Sequence, residues 1–189
     1  MPPAAPPPHP FVHYDFSEGS NGFVETPGWS TAQHLDTVPR EFPWRRATTS
    51  MHGLANRRTG PKGPVFGTGY YLFAGGRGEL DVASGAAKGS VYRLSYDGAE
   101  CTETGMVGSV RFFYHMRGNH MGALELEQTT DGMSWTAIWV KWGDQGNSWQ
   151  GATVSITTPN VIRVRWVGTT GSNFKSCLLY TSPSPRDRG

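Results

Sequence analysis

Cysteine is nearly absent: the 189-residue chain holds two, Cys101 and Cys177. A dense disulfide framework is therefore excluded, and one bridge is the most that could form. Equally missing is any apolar run of the ~18 to 20 residues that a membrane helix needs, so no segment reads as a bilayer span. The opening MPPAAPPPHP has neither the basic nor the apolar stretch of a secretory signal; its six prolines favour extended polyproline II, and residues 1–10 read as a linker. No Asn-x-Ser/Thr acceptor occurs, because Asn21, Asn56, Asn119, Asn147, Asn160 and Asn173 all lack Ser or Thr two places on. An excess of one charge is missing as well. With 17 Lys plus Arg against 15 Asp plus Glu, the balance names no acidic or basic partner.

Residues 177–187, CLLYTSPSPRD, resemble one reading frame of a translated transposase-type sequencing adapter, so residues 177–189 are set apart from the fold as a non-native tail. On that reading Cys101 has no partner, 15 basic residues face 14 acidic ones, and the domain's own last strand is missing. If the tail is natural, a Cys101–Cys177 disulfide returns as the alternative.

What is present points to one all-β domain. The chain carries 25 Gly, 14 Pro and 7 Trp, a mixture of turn formers and aromatic residues. From Ser109 onward, Val110, Phe112, Tyr114 and Met116 alternate with Arg111, Phe113 and His115, which gives a strand with one wholly apolar face. After a break at Arg117–Asn119, Leu124 and Leu126 alternate with Glu125 and Glu127, a half-solvated second strand. Asp131-Gly132 then predicts an antiparallel hairpin into Trp135–Trp142. Ile162, Val164 and Trp166 alternate with Arg163 and Arg165 in a further strand. Earlier in the chain, Phe11–Phe16, Trp44–Arg46, Tyr70–Phe73 and Val91–Leu94 read as short strands. Prolines 27, 39 and 43 exclude a long helix, and Gly75–Gly89 reads as a loop. Strand signals at about ten-residue spacing indicate a sandwich or barrel.

These elements also resemble a known family. Arg111–Met116 (RFFYHM), Gly118 and the Met121–Leu126 strand are similar to the signature of the MAM domain, an extracellular module named for meprin, neuropilin and a receptor-type tyrosine phosphatase. In the same order, Tyr14, Asp15, Phe16, Gly22 and Phe23 resemble its opening; Trp44 and Arg45 its Trp-x-Arg; Thr59, Gly60 and Pro61 its Thr-Gly-Pro; and Gly69, Tyr70 and Tyr71 its Gly-x-Tyr. Trp139, Gly143, Gln145, Gly146, Trp149 and the Val164–Gly171 strand follow its closing pattern. The resemblance covers residues 13 to 176 and implies an antiparallel β-sandwich of jelly-roll type over 11–176. It further implies an adhesion or protein-interaction module, extracellular or at the cell surface and a fragment of a larger protein, whose partner is a protein or another copy of itself. The family's usual cysteines are replaced at Tyr14, near Asn21 and at Ser109, so a core of about 165 residues must hold the fold without those staples.

Several residues are candidates for chemistry. Asp15 and Glu18 stand where family members hold a cation, and a calcium or sodium ion is the cofactor the resemblance implies, although two carboxylates fall short of the six to eight oxygens that calcium takes. Arg57, Arg58 and Lys62, joined by Arg45 and Arg46, form a basic loop that could meet an acidic glycan; without interleaved aromatic residues it does not read as a nucleic-acid surface. Trp135, Trp139, Trp142 and Trp149 read mainly as packing, with a sugar-stacking platform, and so a carbohydrate-binding module, as the alternative. Exposed coplanar rings on a concave face would favour sugar, and buried rings a protein-binding module. His115 and His120 read as a surface pair, because zinc needs three or four converging ligands. Neither a Gly-x-Ser-x-Gly elbow nor a phosphate-cradling Gly-Lys-Ser/Thr loop occurs, and Glu125 with Glu127 reads as a solvated strand face, so no catalytic residue is assigned.

Overall fold

The computed structural model describes residues 16, 28–31, 41–47, 60–67, 69–74, 88–97, 107–171 and 178–181. Among these, eleven strands follow in order: β1 Trp29–Thr31, β2 Glu41–Pro43, β3 Arg45–Ala47, β4 Tyr71–Ala74, β5 Val91–Tyr96, β6 Ser109–Met116, β7 Ala123–Thr129, β8 Thr136–Trp142, β9 Gln150–Ser155, β10 Arg163–Thr169 and β11 Leu178–Thr181. One sheet has the order β1-β5-β10-β7-β8, with β2 added alongside β5; the other has the order β3-β4-β11-β6-β9. Every pairing is antiparallel except β2 with β5. From β4 onward the chain crosses between the sheets at nearly every connection, and the result is the all-β sandwich of jelly-roll type.

Period-two patterning places the core. Val110, Phe112, Tyr114 and Met116 of β6 are buried, as are Leu124 and Leu126 of β7 and Val164 and Trp166 of β10. The sheets meet where Phe112 lies edge-on to Trp166 at 5.7 Å and to Trp139 at 5.0 Å between ring centroids. Tyr114 meets the same Trp139 ring at 5.0 Å. Edge-to-face pairs of this kind contribute about 0.5–1.5 kcal/mol each beyond the area they bury.

The Asp131-Gly132 hairpin forms as expected, pairing β7 with β8 antiparallel. Asp131 Oδ1 accepts from the Thr129 hydroxyl at 2.9 Å and from the Met133 and Ser134 amides, each at 2.8 Å. Gly132 takes a φ of 75°, a conformation costly to any residue with a Cβ.

Four points differ from the sequence reading. Two three-residue strands, β1 and β2, occupy the stretch from Glu25 to Pro43 in which no period was visible. Pro43 is tolerated there because β2 pairs on one side only, with β5. Ile162 precedes β10 and is 36% exposed, instead of sharing the buried face of Val164 and Trp166. Phe16 is the only residue of the expected Phe11–Phe16 strand among those described; it lies outside a strand with a φ of 52°, and its ring is buried edge-on against Trp29. Finally, β11 falls beyond the boundary drawn at Ser176 and pairs with both β4 and β6, so residues of the set-apart tail fill the middle of the second sheet. Cys101 and Cys177 lie outside the described residues.

Candidate functional site

Of the residues singled out in the sequence, Asp15, Glu18, Arg57 and Arg58 lie outside the described residues. Among the described residues no group of three or more His, Cys, Asp or Glu converges as a metal site. The remaining candidates fall on two separate surfaces.

The first surface is the free edge of β8. This strand ends its sheet and has no strand partner on its outer side among the described residues. A bulge opposite Leu126/Glu127 changes which residues face inward. Trp139 is thereby turned onto Phe112 and Tyr114, while Val140 is 43% and Trp142 65% exposed, and Met133 in the hairpin turn is 82% exposed. Trp135 is half-buried beneath the Arg165 guanidinium, which sits 4.0 Å from the ring centroid and is held by Glu127 at 2.5 Å. Across the same outer face Arg93 is ion-paired with Glu41. Burial, reinforced by the Glu127 charge, raises the pKa of the neighbouring Glu125 carboxyl. Trp135 and Trp142 thus stand at opposite ends of β8, roughly 23 Å apart at ~3.3 Å per residue, and form no common platform.

The second surface corrects the reading of His115 as exposed. Its alternation with Tyr114 does put it on the outer side of the second sheet, but it is only 1% exposed. The segment 60–67 folds over that side. The Phe66 ring meets Phe113 edge-on at 5.6 Å, and the Trp149 indole nitrogen donates to Gly63 O at 3.1 Å, tying this strap to the residues before β9. His115 packs edge-on against Trp149 at 5.5 Å. Burial lowers its pKa, partly opposed by hydrogen bonding to Asn147 and by the Asp144 charge. His120, by contrast, is exposed, so the two histidines form no pair. Between strap and sheet lies a cleft of about 400 Å³ lined by Pro61, Lys62, Gly63, Pro64, His115 and the 147–149 turn.

The basic loop is divided by the same fold. Lys62 is exposed on the strap, whereas Arg46 is buried, donating to Phe16 O at 3.1 Å with its guanidinium 4.3 Å from the Tyr70 ring centroid. Sequence reasoning missed Asn147 and Ser148; nothing in their spacing signals that they line a cleft with His115.

The fold places the chain in the class of two-sheet all-β sandwich domains. Its residues 25–179 match the MAM domain, meprin/A5/mu, and the chain belongs to the MAM family, an extracellular adhesion-type module. Among curated relatives, MAM domain-containing glycosylphosphatidylinositol anchor protein 1 of Gallus gallus is 28% identical over 143 residues, covering 71% of this chain and 14% of that protein. The same protein of Rattus norvegicus is 29% identical over 138 residues, 70% and 14% of the two chains. The chain therefore spans about one seventh of these relatives' length. In structure it is similar to the K2 cleaved adhesin domain of Lys-gingipain, with a TM-score of 0.59, 12% identity, and 90% and 96% of the two chains covered. The K1 adhesin domain of Lys-gingipain from Porphyromonas gingivalis W83 gives 0.58 at 12% identity, with 90% and 94% covered; both likenesses concern the fold alone.

Proposed function

We propose that this chain is a non-catalytic protein-interaction module of an extracellular or cell-surface protein, and that it engages a protein partner, another copy of itself included, along the free edge of β8. One observation carries the reading: Trp142 and Val140 project from a terminal strand whose outer backbone edge has no partner strand among the described residues, with Met133 exposed at the hairpin end. Exposed aromatic and aliphatic groups beside unpaired backbone donors and acceptors are what a strand-edge contact uses. The wide separation of Trp135 and Trp142, with Trp139 turned inward, weighs against stacking of sugar on the tryptophans.

The test is aggregation of beads coated with the chain, alongside its sedimentation in solution. Trp142→Ser combined with Val140→Thr is expected to lower clustering and self-association, with an unchanged far-ultraviolet circular dichroism spectrum. Wild-type beads that cluster equally with the double variant would overturn the β8 assignment.

A further inference from the structure

We infer that the cleft between the 60–67 strap and β6 is a binding site for a carboxylated sugar residue, a hexuronic acid, distinct from the β8 edge. The reasoning begins with the lining. Pro61, Lys62, Gly63, Pro64, His115, Asn147, Ser148 and Trp149 line an open cleft of about 400 Å³, room for one or two sugar rings, and none of the eight is acidic.

Each polar group in this set asks for a particular ligand atom. Lys62 has no ion-pair partner among the described residues and presents a compact cation at the rim. Asn147 accepts from the Arg117 guanidinium through Oδ1 at 2.9 Å, which brings a second cation beside the cleft, its charge shared with the Asp144 carboxylate. The exposed Ser148 hydroxyl adds a further donor or acceptor. Lys62 at the rim, with the Asn147 and Ser148 side chains beside it, suits a carboxylate.

His115 asks for a different group. Its Nδ1 is buried and has no hydrogen-bond partner among the described residues. The buried ring is held against protonation. A neutral imidazole nitrogen accepts or donates according to tautomer, and a sugar hydroxyl can meet either need. The Trp149 ring, pinned by its bond to Gly63 O and by edge contacts with Tyr71 and His115, supplies a rigid apolar wall for the C–H face of a pyranose. Carboxylate, hydroxyl and apolar ring face occur together in a uronic acid, whereas a simple carboxylate has only the first and a neutral hexose lacks it.

Saturation-transfer NMR with the full chain tests this, using methyl β-glucuronide, methyl β-glucoside and propionate as separate probes. The glucuronide is expected to bind in the millimolar range, and each of the other two about tenfold more weakly or worse. Lys62→Glu, at an exposed position, is expected to abolish glucuronide binding, and Asn147→Ala to weaken it severalfold, with unchanged amide chemical shifts in the β6–β10 core. Glucoside binding as tight as the glucuronide, propionate binding equally tight, binding that survives Lys62→Glu, or no glucuronide binding by the wild type would each overturn the proposal. Trp142→Ser lies on the other sheet and is expected to leave the sugar signal intact, so failure of the β8 reading and failure of this one are told apart.

Discussion

His115 and Asp131 show how one side chain reports its surroundings through pH. Desolvation holds the folded His115 below its usual value of 6.5. Below pH 6.5 the unfolded chain therefore binds a proton that the folded one resists, and stability falls as pH drops from 6.5 toward the lowered folded value. His115→Gln is expected to flatten that part of the curve, measured as thermal midpoint between pH 7 and pH 5; a slope equal to wild type would mean that other groups set it. Asp131 acts with the same sign in a more acidic range. The Ser134 and Met133 amides, then the Thr129 hydroxyl, hold its carboxyl at about 2, so its stabilisation is complete above the unfolded value near 3.8 and is lost as pH falls toward 2. The His115 window opens at 6.5 and the Asp131 window near 3.8, so titration from neutral pH meets His115 first. Asp131 was legible as half of an Asp-Gly turn. The burial of His115 was not, because what covers it comes from residues 60–67, far away in sequence.

Among elements, length decided what could be read. β6, β7, β8 and β10 run to seven or eight residues and show their period without help. β1 and β2 have three residues each, too few for alternation to exceed chance, and are held by register with β5; β3, equally short, overlaps the strand read at Trp44–Arg46. A second feature at this scale left no periodic trace: the start of β7 passes so close to the end of β10 that a Cβ on Gly122 would lie 1.8 Å from Thr169 O, and one on Gly171 would lie 2.2 Å from His120 O. Backbone atoms cannot step aside as a flexible side chain can. Gly122→Ala is expected to destabilise by about 2–3 kcal/mol or more, read as the shift in urea midpoint, whereas Gly143→Ala, open to solvent but at a φ of 68°, should show only conformational strain of about 1 kcal/mol. Equal losses at the two sites would refute the close approach.

For the molecule as a whole, the two sheets share one core through Phe112, which touches Trp166 and Trp139 of the opposite layer. Phe112→Ala is expected to cost about 3–5 kcal/mol, with a single unfolding transition by both tryptophan fluorescence and circular dichroism. Two separated transitions would mean that the layers fold independently. The sandwich was legible because alternation fixes which face of each strand is apolar. The order of strands within each sheet was not, since backbone pairing is nearly indifferent to side-chain identity and any short extended apolar segment can enter a vacant position. That indifference is why Leu178–Thr181 can pair with β4 and β6 whatever their origin.

The placement of β11 has a consequence for how the second sheet closes. Leu178 pairs with Ala74 on one side and Met116 on the other, so β4 and β6 are joined only through β11, which follows both in the chain. The second sheet is complete only once residues 178–181 are in place, through pairings distant in sequence that carry a large loop-closure entropy. Until then the facing edges of β4 and β6 lack the strand between them, and unpaired edges of this kind are where neighbouring chains add.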